Sequence, residues 1–271
     1  MAAAVWWVNS FVGPNAAGNA TGVVLLEDAW DNAQCARVAR ALRAPDTVFV
    51  LRDGAGYSAR FFSPHEGEMT FCGQGLIAAD AVLRELGAVP IGAEVTLQTS
   101  VGPVRTAYGA DAKLTWCSVP KSFIRPVASN ASVRSLLPLS DPNQPERVVD
   151  SGRKRLFKQV TEIDAISLDP AQVVDFCQRH ELSGVCFYAR VNATTLRLRV
   201  FTVSLAGNED ASTGGAVLGL SALLPDLDAP VEILQGVGSH ALNRGRLLLR
   251  IDNHETCFGG LVELIAQGSL R

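Results

Sequence analysis

The feature of this sequence that most constrains its fold is an approximate internal repeat at an offset of 139 residues, close to half of the 271-residue chain. Residues 60–83 and 199–222 share one order of elements: an apolar strand, a short polar elbow, glycines, and a helix rich in Ala, Leu and Val. The matching positions are Arg60 with Arg199, Phe62 with Phe201, Ser63 with Thr202, and Gly75 with Gly214. Two such units with a pseudo-twofold relation would direct two helix N-termini at one cleft between the halves.

A cleft faced by two helix N-termini has a definite chemistry. The first backbone N–H groups of a helix have no partner within the helix, and the aligned peptide dipoles make this end positive. Such a cleft attracts an anionic group. The repeat therefore predicts a binding site for a small carboxylic acid between the two halves of the chain.

The composition is compatible with two lobes and narrows the classes of partner. With 48% hydrophobic residues, a chain of this length can bury two cores of ~100–150 residues each. It carries 24 basic and 27 acidic residues, a net charge of −3, without long runs of one sign. We therefore expect no nucleic-acid partner and no anionic membrane surface as a partner.

The N-terminus and the cysteines indicate the cellular setting. The first eight residues contain neither a positively charged segment nor an apolar run long enough for a signal peptide or a membrane span. We therefore expect a cytoplasmic protein. Six cysteines lack Cys-x-x-Cys spacing and four histidines lack metal-ligand spacing, which predicts reduced core cysteines and no metal site.

The predicted strands and helices follow the same order on both sides of a stretch rich in proline, serine and asparagine at residues 124–147. In each half, strands precede a helix, over residues 75–86 or 213–224, and further strands follow it. We predict an α+β fold of two pseudo-symmetric lobes, residues 1–125 and 126–271. Each lobe is a curved, mostly antiparallel, barrel-like sheet around a central helix, and the active site lies between the lobes.

The first polar elbow carries two glutamates, Glu66 and Glu68, followed by the helix start Cys72-Gly73-Gln74-Gly75. A carboxylate held in a closed cleft loses solvation, so its pKa rises toward neutrality and it can take up and return a proton. We predict Glu68 as the catalytic acid/base and the four residues of the helix start as substrate-binding residues. The alternative for Glu68 is an exposed glutamate that only solvates a loop.

The second elbow, Glu209-Asp210-Ala211-Ser212-Thr213-Gly214-Gly215, offers two carboxylates, two hydroxyl groups and open backbone. An acid just before a helix is commonly a capping residue. Because this elbow matches the first one, we predict instead that Asp210 shares a proton with the substrate or orients it opposite Glu68. Four further residues of this elbow are predicted to bind substrate: Ser212, Thr213, Gly214 and Gly215.

Two other kinds of site, a dinucleotide-binding loop and a reactive cysteine, fit parts of this sequence. Gly73-x-Gly75-x-x-Ala78 fits a loose dinucleotide fingerprint, but no buried parallel strand precedes it and no acidic residue ends the next strand. We therefore expect no nucleotide cofactor. Cys72 at a helix N-terminus could be an activated thiolate, but a two-cysteine racemase would need a second thiol in the other elbow, where the equivalent residue is Ala211.

Three segments of the chain resemble motifs of the phenazine-biosynthesis isomerase (PhzF-like) family. Gly18-Asn19-Ala20-Thr21-Gly22-Val23-Val24 resembles the family's G-N-P-A-A-V-V. Phe62-Ser63-Pro64, with Glu68 and Cys72-Gly73-Gln74-Gly75, resembles F-T-P-x-x-E-x-x-x-C-G-H-A, and residues 209–216 resemble E-D-P-A-T-G-S-A. The similarity runs over nearly the whole chain in matching order.

This resemblance implies the diaminopimelate-epimerase-like fold, a homodimer and proton transfer without a cofactor. It implies that Glu68 moves a proton between carbons of a conjugated carboxylic acid and that Asp210 assists. The two helix starts would hold the carboxylate, and Asn19 would join the substrate-binding residues. Gln74 stands where the family has a histidine, and an amide cannot titrate near neutral pH.

We therefore predict an isomerase that moves a proton or double bond in a small unsaturated amino or hydroxy acid, in a bacterial secondary-metabolite pathway. Two alternatives stay open. One is an epimerase or dehydratase that acts at Cα through Cys72, and the other is a non-catalytic small-molecule binding protein.

Overall fold

The computed structural model describes residues 3–54, 56–109, 114–138, 140–224, 229–236, 244–251 and 254–270. The strands of the first half are β1 (Ala3–Val12), β2 (Asn19–Leu26), β3 (Asp46–Asp53), β4 (Gly56–Ser63), β5 (Gly67–Met69), β6 (Glu94–Thr99), β7 (Gly102–Gly109) and β8 (Leu114–Pro120). Those that follow are β9 (Arg125–Val127), β10 (Glu146–Asp150), β11 (Lys154–Gln159), β12 (Gly184–Arg190), β13 (Thr195–Thr202), β14 (Glu209–Asp210), β15 (Val231–Gln235), β16 (Gly245–Ile251) and β17 (Glu255–Leu270). The helices are α1 (Asn32–Leu42), α2 (Gly73–Glu85), α3 (Pro170–Arg179) and α4 (Gly214–Ser221).

The first lobe is a closed ring of strands around α2. Its order is β1-β2-β3-β4-β6-β7-β8-β17, and β17 pairs back onto β1. Two of these pairs, β2–β3 and β4–β6, are parallel and the others are antiparallel. Eleven consecutive residues of α2, Gly73 to Leu83, are buried inside the ring. A closed ring leaves no free sheet edge.

The second lobe repeats this arrangement around α4. Its order is β10-β11-β12-β13-β15-β16-β17, with parallel pairs at β11–β12 and β13–β15. The segment formed by β8 and β9 closes this ring, because β8 pairs with β17 and β9 pairs with β10. All eight residues of α4 are buried. The predicted α+β fold of two similar barrel-like lobes is therefore confirmed.

The two lobes share the strands β8 and β17. Residues 255–261 of β17 pair with β8, while residues 261–270 pair with β1 of the first lobe. The antiparallel pair β8–β17 thus belongs to both rings and joins them. The lobe boundary between residues 125 and 126 stays a prediction. The structure adds that β17, which follows this boundary in sequence, closes the ring of the first lobe.

The two peripheral helices begin at aspartates that cap them. Asp31 accepts a hydrogen bond from the Gln34 backbone N–H and forms a reciprocal capping box with it. Asp169 caps α3, whose first residue is Pro170. Helix α1 covers the outside of the first lobe over a small apolar cluster, and α3 covers a larger one on the second lobe.

The repeat changes its offset within the elbow. In the first lobe Phe62 pairs with Glu68, and in the second Phe201 pairs with Glu209. The residues that cap the two central helices are Cys72 and Thr213. The offset of 139 residues before the elbow thus becomes 141 after it. Gly73, rather than the predicted Gly75, is the counterpart of Gly214.

The two central helices meet at their N-termini because both start with glycine. A Cβ atom added to Gly73 would lie 3.0 Å from the Cα atom of Gly214, and 2.6 Å from the Phe258 ring. A Cβ atom added to Gly214 would lie 2.5 Å from the same ring. Phe258 is fully buried. Both glycines are therefore required by close packing, not by an unusual backbone angle.

Three predicted absences concern the described residues. The six cysteines are buried and free. Within the described ranges, no three His, Cys, Asp or Glu side chains are grouped in a way that could hold a metal ion. Of the helices just given, none has both the length and the apolar character to cross a bilayer.

Replacing Gly214 by alanine is expected to destabilise the fold, because the new methyl group must displace the buried Phe258 ring. We expect a loss of about 1–3 kcal/mol in the free energy of unfolding, measured by urea denaturation. Gly56→Ala is the control, since its Cβ atom would meet only the Asp53 carbonyl oxygen, at 3.9 Å. Equal stability of the two variants would contradict the packing argument.

Candidate active site

A narrow pocket lies between the lobes where α2 and α4 begin. It is lined from the first lobe by Asp46, Met69, Phe71, Cys72, Gly73 and Gln74, and from the second by Arg153, Arg155, Thr202, Ser204, Asp210, Ser212, Thr213, Gly214 and Gly215. Its volume is about 20 Å³, which is room for about one water molecule. The pocket is therefore too small for a substrate in this arrangement, and one can bind only if the lobes or side chains move apart.

Asp210 is buried in the pocket wall and held from both lobes. Its carboxylate accepts hydrogen bonds from Asn19 Nδ2 at 2.5 Å and from Thr213 Oγ1 at 2.6 Å. Its backbone carbonyl accepts one from Gln235 Nε2 at 2.9 Å. Burial, reinforced by the charge of Asp46, raises the pKa of Asp210 to about 7. Asp210 can therefore exist in either protonation state near neutral pH.

Asp46 is the second carboxylate of the pocket, and sequence reasoning missed it. It stands at the first position of β3, and its Oδ2 atom accepts a hydrogen bond from Cys72 Sγ at 3.1 Å. Burial of the carboxyl group raises its pKa, against lowering effects of the Cys72 hydrogen bond and of Arg153. An acid between a proline and a strand resembles an ordinary turn residue, so nothing in the local pattern marks Asp46 as a site residue.

The structure corrects the position of Glu68. Its carboxylate forms a two-point ion pair with Arg60, at 2.8 and 3.1 Å, and its side chain is 35% exposed. Arg199 and Glu209 form the same ion pair in the second lobe. In each lobe this ion pair therefore joins two neighbouring strands, β4 and β5 in the first lobe and β13 and β14 in the second. The expectation that Glu68 faces Asp210 across a closed cleft is therefore wrong.

Glu66, the other glutamate of the first elbow, bridges the lobes. Its carboxylate accepts a hydrogen bond from Arg153 Nη2 at 2.5 Å, and Thr70 Oγ1 donates to the Gly152 carbonyl at 2.7 Å. These contacts hold the first elbow against the second lobe directly beside the pocket. They are polar and partly exposed, so they can break when the pocket opens.

Cys72 is a neutral thiol in this arrangement. Its sulfur accepts a hydrogen bond from the Gly75 N–H at 3.2 Å, which caps α2, and it donates to Asp46. Burial, together with the Asp46 charge, raises the pKa of Cys72 well above its usual value. A reactive thiolate needs the opposite shift. Cys72 therefore holds Asp46 and the helix start in place.

Three more of the predicted substrate-binding residues lie in or next to the pocket. Gln74 donates from Nε2 to the Ala20 carbonyl and to Thr21 Oγ1, both at 2.7 Å, and its Oε1 atom has no partner among the described residues. Ser212 Oγ has none there either. Asn19 lies behind Asp210 and also donates to the Ser212 carbonyl.

Gly75 does not line the pocket, contrary to the prediction. A Cβ atom added there would meet Phe61 and Val48 in the core of the first lobe. Its N–H group is already taken by Cys72. The glycines that do line the pocket are Gly73, Gly214 and Gly215.

Together these residues can transfer protons. Each lobe supplies one carboxyl group with a raised pKa, and the charge of Asp46 contributes to the raised pKa of Asp210. An ionised Asp46 therefore favours the protonated form of Asp210, so that one acid can hold a proton while the other is ionised. A pair of this kind can remove a proton at one carbon and deliver one at another.

The raised pKa of Asp210 makes the stability of the protein depend on pH. The folded state binds more protons than the unfolded chain between about pH 4 and pH 7, so the free energy of unfolding falls as the pH rises through this range. We expect Asp210→Asn to remove the part of this fall that Asp210 causes, so that the variant gains on the order of 4 kcal/mol relative to the parent between pH 4 and pH 8.

Urea denaturation at both pH values measures this difference. Asp164→Asn is the control, because the bond from Arg197 lowers the pKa of the exposed Asp164, and its stabilisation is lost as pH falls through that lowered pKa. Parallel pH profiles for the parent and Asp210→Asn would contradict the assignment.

Comparison with known proteins identifies the family. Residues 8–257 match the family model described as "Phenazine biosynthesis-like protein". The chain is 29% identical over 227 residues to the uncharacterized isomerase YddE of Salmonella typhimurium, covering 78% of this chain and 75% of the relative. It is 26% identical over 243 residues to the trans-2,3-dihydro-3-hydroxyanthranilate isomerase of Pseudomonas fluorescens, covering 85% and 84% of the two chains.

A solved structure agrees with this assignment at the level of the fold. The phenazine biosynthesis protein of the PhzF family from Bacillus anthracis is similar with a TM-score of 0.78, at 18% identity, over 100% of this chain and 99% of that one. The pocket between two central helix N-termini thus lies in a shared two-lobed fold. The chain belongs to the phenazine biosynthesis-like (PhzF) family of isomerases.

Proposed function

We propose that this protein isomerises a small unsaturated amino or hydroxy carboxylic acid by moving a proton between two of its carbon atoms, without a cofactor. The observation that carries the proposal is the pair Asp46 and Asp210. The two lobes contribute one carboxyl group each, both have raised pKa values, and both line one narrow pocket. In this proposal the acid/base role assigned to Glu68 passes to Asp46.

The reaction would proceed in two balanced steps. The ionised carboxylate of the pair removes a proton from a carbon next to the conjugated system, and the electron pair of the broken C–H bond delocalises toward the substrate carboxylate. The resulting dienolate-like anion then takes a proton at another carbon from the protonated member, which shifts the double bond. Positive helix N-termini at α2 and α4 would stabilise the anion while it exists.

The pocket supports an acid with at least one further polar group. Gln74 Oε1 can accept a hydrogen bond and Ser212 Oγ can donate or accept one, and neither has a partner among the described residues. The P. fluorescens relative is named for an acid that carries both a hydroxyl and an amino group. That compound is therefore the first substrate to test. A role in a bacterial secondary-metabolite pathway is part of the proposal.

We expect Asp46→Asn and Asp210→Asn each to lower proton exchange at carbon by about 10²–10⁴-fold, because each removes a group that carries a proton. Mass spectrometry of deuterium uptake in D₂O, with trans-2,3-dihydro-3-hydroxyanthranilate and related unsaturated acids, measures the rate. Glu68→Gln is the matched control and should keep the parent rate. If Glu68→Gln lost exchange while Asp46→Asn kept it, the assignment of the base would be wrong.

We expect Cys72→Ser to keep the exchange rate within about tenfold, because a serine hydroxyl can still cap α2 and donate to Asp46. An epimerase acting through a cysteine thiolate would instead lose its activity in this variant. The same deuterium assay distinguishes the two mechanisms. Tight binding of an acid without exchange in the parent would favour a binding protein.

Two further expectations accompany the proposal. The chain forms a homodimer, as the family resemblance implies, and it acts in the cytoplasm. Both stay predictions, which size-exclusion chromatography with light scattering and cell fractionation would check.

A further inference from the structure

One pocket residue has no role in the proton transfer just described. Arg155 lines the pocket and is 3% exposed. Its Nε atom has no hydrogen-bond partner among the described residues, and Nη1 reaches only the Arg153 carbonyl, at 3.5 Å. No ion pair joins it to a carboxylate in the described part of the chain. A buried guanidinium without a paired anion is energetically costly.

The internal repeat shows what Arg155 replaces. The strand registers make Arg155 the counterpart of Thr21, since Thr21 pairs with Asp46 and Arg155 with Gly184. In the first lobe Thr21 receives a hydrogen bond from the Gln74 side chain. The offset of 141 makes Gly215 the counterpart of Gln74. The second lobe therefore lacks the amide side chain that satisfies the first.

The guanidinium occupies the space left by this missing side chain. A Cβ atom added to Gly215 would lie 3.2 Å from Arg155 Nη1 and 3.5 Å from the Phe71 ring. The positive charge thus lies against the second residue of α4. Thr213, the N-cap residue of this helix, makes no side-chain capping hydrogen bond. Two positive features, the guanidinium and the helix N-terminus, thus meet. Among the described carboxylates Asp210 contacts this helix start, through the Thr213 hydroxyl group, and none forms an ion pair with the guanidinium.

We propose that Arg155 binds the carboxylate of the substrate at the start of α4 and thereby makes the enzyme selective for carboxylic acids. This inference rests on the proposed function and names the residue that selects the substrate class. The bound carboxylate supplies the missing partner for Arg155 Nε–H and lies on the positive end of the helix. The hydroxyl or amino groups of the same substrate face Gln74 Oε1 and Ser212 Oγ.

The charge environment of Arg155 fits this role. Burial and the neighbouring Arg153 charge lower its pKa, while Asp210 and Glu66 act in the opposite direction from a distance. Glu66 is committed to Arg153, and Asp210 is held by Asn19 and Thr213. A third carboxylate, Asp46, is also affected by the Arg155 charge but accepts its hydrogen bond from Cys72. None of the three forms an ion pair with Arg155 in the described part of the chain.

Isothermal titration calorimetry tests the inference with two probes of the same shape, 3-hydroxyanthranilate and its uncharged carboxamide. We expect the parent to prefer the carboxylate, and Arg155→Met to lose about 10- to 100-fold in affinity for it with little change for the carboxamide. Arg155→Lys should recover part of the loss, since it keeps the charge without the planar fork. Equal losses for both probes, or no loss, would overturn the proposal.

Stability provides a readout that needs no ligand. If Arg155 is kept for binding, Arg155→Met should raise the urea midpoint, because it removes an unpaired buried charge. Arg153→Met is the matched control and should lower the midpoint, since its guanidinium is paired with Glu66. A lowered midpoint in both variants would mean that Arg155 is structural.

The outcomes separate this inference from the proposed function. If the parent exchanges deuterium and Arg155→Met exchanges it with unchanged KM and kcat, the isomerase stands and the role of Arg155 fails. A rise in KM for the acid at nearly constant kcat supports Arg155 as the anchor. If the parent binds neither probe and exchanges no acid, both proposals fail.

Discussion

The approach of two helix N-termini over one phenylalanine ring organises this protein. Gly73 and Gly214 allow α2 and α4 to start against Phe258, and a side chain at either position would push the helices apart. Two positive helix ends at this separation repel each other. The arrangement becomes favourable when negative charge lies between them, which is where Asp46, Asp210 and the proposed substrate carboxylate are placed. The close packing of the two helices therefore produces a positive potential in the pocket, and this potential favours bound carboxylates and a negatively charged intermediate.

The two acids of the pocket, Asp210 and Asp46, are held by different contacts. Asp210 is fixed by hydrogen bonds from both lobes, whereas Asp46 is contacted by the neutral thiol of Cys72. Their pKa values are raised mainly by the loss of water. An open pocket would readmit water and lower both values. Closure of the lobes therefore both excludes solvent and prepares the acids to exchange protons.

The repeat in the sequence predicted the two lobes, the central helices and the location of the cleft, because apolar periodicity and glycine placement are local features. It did not predict which acid enters the cleft. Glu68 and Asp46 are both acids beside apolar strands. Only the strand register decides that Glu68 pairs with Arg60 while Asp46 lines the pocket together with Asp210. The two-residue change of offset was equally hidden, because it arises inside the elbow.

The sharing of strands between the lobes has a consequence for biosynthesis. The ring around α2 cannot close until residues 261–270 pair with β1, and these positions are separated by most of the chain. During translation the first lobe emerges early with two unpaired strand edges and an apolar helix that has no complete enclosure. It must wait in that state, in need of protection from aggregation, until the last strand has left the ribosome.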